Sequence, residues 1–337
     1  MEIWLGTFPA PGRAGAIARM AEDDGWDGVA LTDSQSLTGD VFVALGLAAQ
    51  ATSRLKLATG ATNPATRHPA VVASAISTIQ VESGGRAVLG IARGDSALAY
   101  LGRKPLSLSE FRRGLDQVQT YLRGDAVDLD GYESRLEWLR QLNPPKVPVS
   151  VAATGPKVIE IAAQLAERVT FSLGARPERL RWAIDHARQA RAAAGLDPAS
   201  LSCGAYINAV AHPDVDRARE LVRGRLGVYT RFSTMHDNSM DTLAPEDRAV
   251  AERLAANYDM GAHATSAARH AATLDDDFVD RFGVVGPSDH VTTRLRELLA
   301  LGLDHLVIVG HGRDVSPEVL AESSRRFGRE VIARLKG

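Results

Sequence analysis

Short apolar runs alternate with helix-length amphipathic stretches along almost the whole chain, and this alternation limits the possible folds more than any other feature. The runs are Ile3–Thr7, Gly28–Thr32, Leu55–Ala61, Arg86–Ile91, Pro148–Ala152, Arg168–Leu173, Ser202–Val210 and His305–Val309. Segments with helical spacing follow them, among them Ala14–Asp24, Val41–Ala51, Val71–Val81, Lys157–Ala166, Pro177–Ala194 and Pro317–Leu335. Strands joined through helices pair in parallel, because each crossover returns the chain to the same end of the sheet. Eight units of this kind predict an α/β fold: an eight-stranded parallel (β/α)8 TIM barrel in a single domain over residues 1–337. A doubly wound open sheet is the alternative.

Two intervals are too long for one crossover, so insertions are expected after the fourth and seventh strands. In the first, Ser109–Arg123 has helical spacing with Ser109 placed as its N-cap, and Gly124–Pro145 carries Asp-Gly and Pro-Pro turn signals. The second runs from about His212 to Asp304. Asp214–Leu226 and Pro245–Tyr258 are its clearest helices, with a short apolar piece at Phe282–Val285 and a further helix at Ser288–Leu301.

Composition excludes several classes. A formal net charge of −2 leaves no basic excess to neutralise phosphates, which argues against a nucleic-acid partner. The single cysteine, Cys203, rules out an internal disulfide and a cysteine-based zinc cluster. The nine histidines lack metal-ligand spacing and H-E-x-x-H is absent, so no metal site is expected. G-x-S-x-G is missing as well, and acyl transfer is unsupported. The first residues, MEIWLGTFPAPGR, show no basic-then-apolar leader, and no apolar run approaches a membrane span; a cytoplasmic protein without a membrane partner is expected.

Candidate chemistry gathers where strands empty into loops, because ligands bind at the C-terminal ends of parallel strands. Asp33 follows the second strand and suits either a ligand-facing carboxylate or the cap of the next helix. Gly60 and the Gly94-Asp95-Ser96 tripeptide suit either a close-approaching ligand or a plain turn. His68, before Pro69, orders a loop at a helix start. Ala153-Thr154-Gly155-Pro156-Lys157 is more specific: small residues end a strand and a helix begins with a lysine in its first turn. That lysine opposes the helix dipole unless an anion is near, so the segment suits a phosphate. Arg93, Arg103, Lys104 and Arg176 sit in loops and suit solvated surface charge or, on the resemblance given below, attraction of a cofactor's acidic tail. His236 and His263 suit either a substrate pocket or packing.

Four stretches carry a resemblance: TGATNPATRHPAVVASAISTIQVESGGRAVLGIARGD, VPVSVAATGPKVIEIAA, FGVVGPSDHV and LGLDHLVIVG. Together they resemble the luciferase-like superfamily, in its branch of F420-dependent methylenetetrahydromethanopterin reductases. The T-N-P-x-x-R-H-P segment and the Gly90–Asp95 loop are the more specific parts. The resemblance implies a homodimeric barrel with a deazaflavin, coenzyme F420, across its C-terminal mouth. It makes Gly60-Ala61 a non-prolyl cis peptide behind the deazaflavin ring and puts Asp33, Ser34, Thr62 and Asn63 near that ring. Gly94 and Asp95 would line the same cavity, Ala153, Thr154, Gly155, Pro156 and Lys157 would hold the phosphate, and Ser172 would touch the cofactor.

The implied activity is hydride transfer between F420 and a small organic substrate at a C=C, C=N or C–OH group. Asp33, Asp95 and His263 are then the proton-transfer candidates. Ala92-Arg93 ahead of the Gly-Asp pair, and the segments RFSTMHDNS and YDMGAHAT, depart from the pterin reductases, so the cofactor site is better preserved than the substrate site. An FMN-dependent luciferase-like monooxygenase and a non-catalytic cofactor-binding barrel are the alternatives.

Overall fold

Eight parallel strands hydrogen-bond in a closed ring. They are β1 (Glu2–Thr7), β2 (Gly28–Leu31), β3 (Lys56–Thr59), β4 (Ala87–Ile91), β5 (Val149–Ala153), β6 (Arg168–Phe171), β7 (Ser202–Ile207) and β8 (His305–Ile308). They pair in chain order, and β1 closes against β8 through Glu2–His305 to Leu5–Ile308. The expected (β/α)8 barrel is therefore the fold, and the open-sheet alternative is excluded. The structure, a computed structural model, describes residues 1–235 and 240–337; His236 lies outside them.

The period-two alternation of the strands sorts their side chains into two layers. Ile3, Leu5, Val29, Leu31, Leu57, Leu89, Val151 and Phe171 face outward into a buried layer beneath the helices. Trp4, Ala30, Ala58, Val88, Tyr206 and Val307 face inward and fill the ring. Two glycines make room for the largest inward rings. A Cβ on Gly28 would stand 2.3 Å from Trp4 Cε3, and one on Gly204 would stand 2.2 Å from His305 Nε2. At the N-terminal end of the barrel Glu2 accepts from Lys56 Nζ (2.5 Å) and from an Arg168 Nη (2.7 Å). Burial pushes the Glu2 carboxyl up, but the two cations outweigh it and hold the group down at about 2.

Both insertions occur where expected. After β4 come a short helix, Ser96–Ala99, the helix Leu108–Leu122, a hairpin of Val127–Leu129 with Tyr132–Ser134, and the helix Glu137–Leu142. The N-cap of Leu108–Leu122 is Ser107, not Ser109: Ser107 Oγ accepts from Glu110 N while the Glu110 carboxylate accepts from Ser107 N. The Ser-x-x-Glu capping box is satisfied only in that register. After β7 the run expected to end at Val210 breaks at Asn208. Ala209–Ala211 leaves the ring to pair in parallel with Val284–Gly286, the apolar piece expected at Phe282–Val285. Helices Val215–Phe232 and Pro245–Ala256 lie in the interval, the first running six residues past the expected Leu226. The closing helix, Pro317–Arg326, widens into a π-helical turn at Phe327–Ile332, where a Cβ on Gly328 would meet the Asp24 carbonyl oxygen at 2.0 Å. Among the described residues no helix is long and apolar enough to cross a membrane.

Candidate active site

The C-terminal ends of β2 to β6 surround a cavity open to solvent. Its floor is made of small residues: Gly60 and Ala61 after β3, Ala92 and Gly94 after β4, and Ala152 and Gly155 around the end of β5. The Gly60–Ala61 peptide is cis, as the resemblance implied. A Cβ on Gly60 would press on Ala30 Cβ at 3.0 Å, so the backbone lies flat against β2. Gly94 has φ +87°, a left-handed conformation that glycine adopts without the steric cost of a Cβ. Thr62 ties the two loops together: its N–H donates to the Gly90 carbonyl and its carbonyl accepts from Ala92 N, each at 2.9 Å.

Of the residues singled out in the sequence, Asp33, Gly60, Ala61, Asn63, Gly94, Asp95, Thr154, Gly155, Ser172 and His263 line this cavity. Ser34 and Thr62 are buried just behind it, Ser34 Oγ lying 3.0 Å from Ser96 Oγ. Ala153 is buried in β5. Pro156 opens the helix Pro156–Leu165 but lines a neighbouring cleft, with Arg179 and Trp182, and the Lys157 side chain is exposed. That helix has no side-chain cap at Gly155, and it meets the cavity at Gly155 and Val158, not at the lysine.

Both candidate carboxylates are engaged. Asp33, whose side chain is 1% exposed, accepts from Thr62 Oγ1 at 2.6 Å and forms an ion pair with Arg67. The cap it was considered for is made by Asp40, which accepts from Phe42 N and Val43 N and also binds Arg67 at 2.7 Å. Asp95 receives one Arg231 Nη on both oxygens, at 2.6 and 2.7 Å, and that guanidinium lies 4.8 Å over the Tyr258 ring.

His263 is also buried. Its Nδ1 lies 2.8 Å from the Tyr258 hydroxyl and its carbonyl accepts from Arg313 Nε at 3.0 Å. Burial, reinforced by Arg231, Arg225 and Arg313, pushes its imidazole down to about 3, so the ring is neutral across the physiological range. Its Nε2 makes no hydrogen bond among the described residues. Among those residues no group of histidine, cysteine and carboxylate side chains could hold a metal ion.

The loop cations divide. Arg176 is spent on Asp247 (2.7 Å) and Glu246 (2.9 Å), and Arg103 reaches the Ala65 carbonyl. Arg93 lines the cavity with its Nε donated to the Leu106 carbonyl at 2.6 Å. His68 orders its loop as expected, its Nδ1 accepting from Ala70 N.

Sequence reading missed the opposite wall. Arg225, Val228, Tyr229 and Phe232 project from the helix Val215–Phe232 at i, i+3, i+4 and i+7, the spacing of one helical face, and all four line the cavity. Their spacing was readable; that this face covers the barrel mouth was not.

Comparison with known proteins gives consistent results. The luciferase-like monooxygenase family profile matches residues 3–305. A 5,10-methylenetetrahydromethanopterin reductase of Archaeoglobus fulgidus is 30% identical over 94% of each chain. An F420-dependent glucose-6-phosphate dehydrogenase of Beutenbergia cavernae is 27% identical over 95% of this chain and 92% of that one. The solved coenzyme F420-dependent tetrahydromethanopterin reductase of Methanopyrus kandleri shares the fold, with a TM-score of 0.79 at 23% identity over 99% of both chains.

Proposed function

The chain belongs to the luciferase-like monooxygenase family, and from that premise we propose that it is an oxidoreductase dependent on coenzyme F420, exchanging a hydride with a small organic substrate. A relative named for F420, the glucose-6-phosphate dehydrogenase of Beutenbergia cavernae, matches it along nearly the whole length of both chains. The observation that carries the reading is the strip of small residues along the cavity floor, Gly60, Ala61, Ala92, Gly94 and Gly155, against which a planar ring system can lie at van der Waals distance. The residues fit the cofactor. Asp33, Ser34, Thr62, Asn63, Gly94, Asp95 and Ser172 would surround the ring, and the first turn after Ala153 would take the phosphate through the backbone N–H groups of Thr154, Gly155 and Lys157, with Pro156 shaping the turn and the Lys157 charge outside. When bound, F420 supplies a ring carbon that donates or accepts hydride.

What the protein adds is placement and proton control. Asp33 and Asp95 are ion-paired side chains that fix the loops around the ring, so we assign the hydrogen bond at the reacting centre to His263. Tyr258 occupies one nitrogen of this neutral imidazole, leaving Nε2 to hydrogen-bond a carbonyl, imine or hydroxyl at the reacting carbon.

The helices Val41–Ala51 and Pro69–Glu82 pack side by side and expose Val43, Leu47 and Val71, each more than half uncovered. We infer that this apolar face pairs with a second copy of the chain.

The test is a titration of the cofactor-free protein with F420 and, separately, with FMN, following cofactor fluorescence. F420 is expected to bind at least about tenfold more tightly. Preference for FMN, with oxygen uptake when the protein holds reduced FMN, would overturn the reading in favour of a monooxygenase. Tight F420 binding without turnover across a substrate screen would leave a binding barrel.

A further inference from the structure

Arg225 is a guanidinium in the wrong surroundings for a structural residue. It is 94% buried, as its 6% exposure shows, and it lines the cavity. It forms no ion pair or hydrogen bond among the described residues, and its Nε is both buried and unpartnered. Its visible contact is the face of Phe8, 4.2 Å from the guanidinium carbon. The titratable groups that bear on it most are the phenols of Tyr229, Tyr206 and Tyr258, which burial keeps neutral, and the like-charged Arg313. The two carboxylates that line the cavity cannot neutralise it, because Asp33 is committed to Arg67 and Asp95 to Arg231. A buried cation without a counter-charge is costly, and buried charges in folded proteins are nearly always paired.

The neighbouring groups supply the rest of an anion site. Tyr206 and Tyr229 line the same cavity with ring centres 5.6 Å apart, and neither hydroxyl is spent on a described partner. Burial holds both phenols protonated, with Tyr229 pushed up to about 12, so each offers an O–H donor at neutral pH. The position distinguishes this site from the expected place of the cofactor. Arg225 lies against Phe8, just past β1, and beside Tyr206 on β7, the side of the ring opposite the ends of β3, β4 and β5.

We propose that Arg225, with the Tyr206 and Tyr229 hydroxyls, binds an anionic group of the substrate, a carboxylate or a phosphate, and so anchors it over the small-residue floor. The substrate class is thereby narrowed to organic anions. Arginine suits the task, since its planar fork can donate two parallel bonds to either group. The proposal rests on the oxidoreductase reading for its meaning, but the anion site itself can be tested apart from it.

The experiment is calorimetric titration of the F420-loaded protein with benzoate and with glycerol 3-phosphate, each against its uncharged counterpart, benzamide or glycerol. Wild type, R225M and R225K are compared, and the F420 affinity of each is measured first. In the wild type at least one anion is expected to bind about tenfold or more tightly than its counterpart. R225M should abolish that preference, R225K should keep part of it, and F420 affinity should hold within about twofold. R225M removes an unpaired buried charge, so its melting temperature should not fall.

Equal affinity for charged and uncharged probes in the wild type would overturn the proposal, as would an anion preference that survives in R225M. A loss of F420 affinity in R225M would also overturn it, by assigning Arg225 to the cofactor's acidic tail. The same titrations on cofactor-free protein separate the two readings. Rejection of F420 together with an Arg225-dependent anion preference removes the F420 assignment and leaves the anion site standing.

Discussion

Replacing Arg67 with methionine tests whether the Asp33 carboxylate depends on its ion pair. The Asp33 side chain is 1% exposed and the Arg67 side chain 18%, so the pair is largely, though not wholly, shielded from water. R67M leaves Asp33 with the Thr62 hydroxyl as its remaining side-chain donor, while Asp40 still caps its helix through Phe42 N and Val43 N. Stranding one member of a buried pair costs about 3–5 kcal/mol; residual water access at Arg67 puts this case near the lower end, about 3 kcal/mol. Asp33→Asn should cost about 1.5 kcal/mol, since Arg67 keeps Asp40 as a partner and the amide can still accept from Thr62. The double variant should cost about 2.5 kcal/mol instead of the additive 4.5, a coupling of about 2 kcal/mol. Urea unfolding of the cofactor-free proteins, followed by far-ultraviolet circular dichroism, measures all four corners of the cycle. R67M alone should also melt about 6 °C lower, at roughly 2 °C per kcal/mol for a chain of this size. A coupling below about 0.5 kcal/mol would refute the argument, because the two side chains would then be neighbours without being an energetic unit.

Acid should weaken the fold earlier than carboxylate protonation would. Burial pushes His263 and His305 down to about 3 and His311 to about 4, whereas unfolded histidine titrates near 6.5. Below pH 6.5 the unfolded chain therefore binds protons that the folded chain refuses, and stability is lost as pH falls from 6.5 toward those lowered values. Each histidine contributes up to about 1.4 kcal/mol per pH unit in that window, so urea midpoints should drop clearly between pH 7.5 and 5.5. Equal midpoints would contradict the burial argument, and H305Q should flatten the profile by about one proton. For the apolar helix pair, V43E or L47E should halve the mass seen in sedimentation velocity while leaving the circular dichroism spectrum unchanged. An unaltered sedimentation profile would place any self-association elsewhere.

The barrel was legible because its signal is repeated. Eight strand-and-helix units, each weak alone, reinforce one another through a common period, and helices such as Val41–Ala51 match the observed bounds. The cofactor-side loops were legible because glycine, proline and aspartate at strand ends mark local backbone geometry, as at Gly60 and Gly94. What escaped was long-range pairing. Nothing local tells that Asp33 meets Arg67 across 34 residues, or that Asp95 meets Arg231 across 136. Those two pairings tie the leading proton-transfer candidates to arginines and leave Arg225 without a carboxylate partner among the described residues. Lys157 misled in the opposite direction: its place in a helix first turn suggested an anion, but the turn delivers its backbone to the cavity and its side chain to solvent.

The helix Val215–Phe232 adds no strand to the ring, yet four of its side chains form one wall of the cavity. On the function proposed above, the surface that would select a substrate, Tyr206 of β7 apart, and the loops that would seat a cofactor are written in separate stretches of one gene. Substitutions on that helix face, at Arg225, Val228, Tyr229 and Phe232, would reshape the wall within bounds set by Val228 and Tyr229, which share a buried cluster with Trp4, Ala30 and Val307 of the barrel. A lineage built this way can move among substrates while keeping one redox partner, and a directed-evolution library confined to four codons would search the same space.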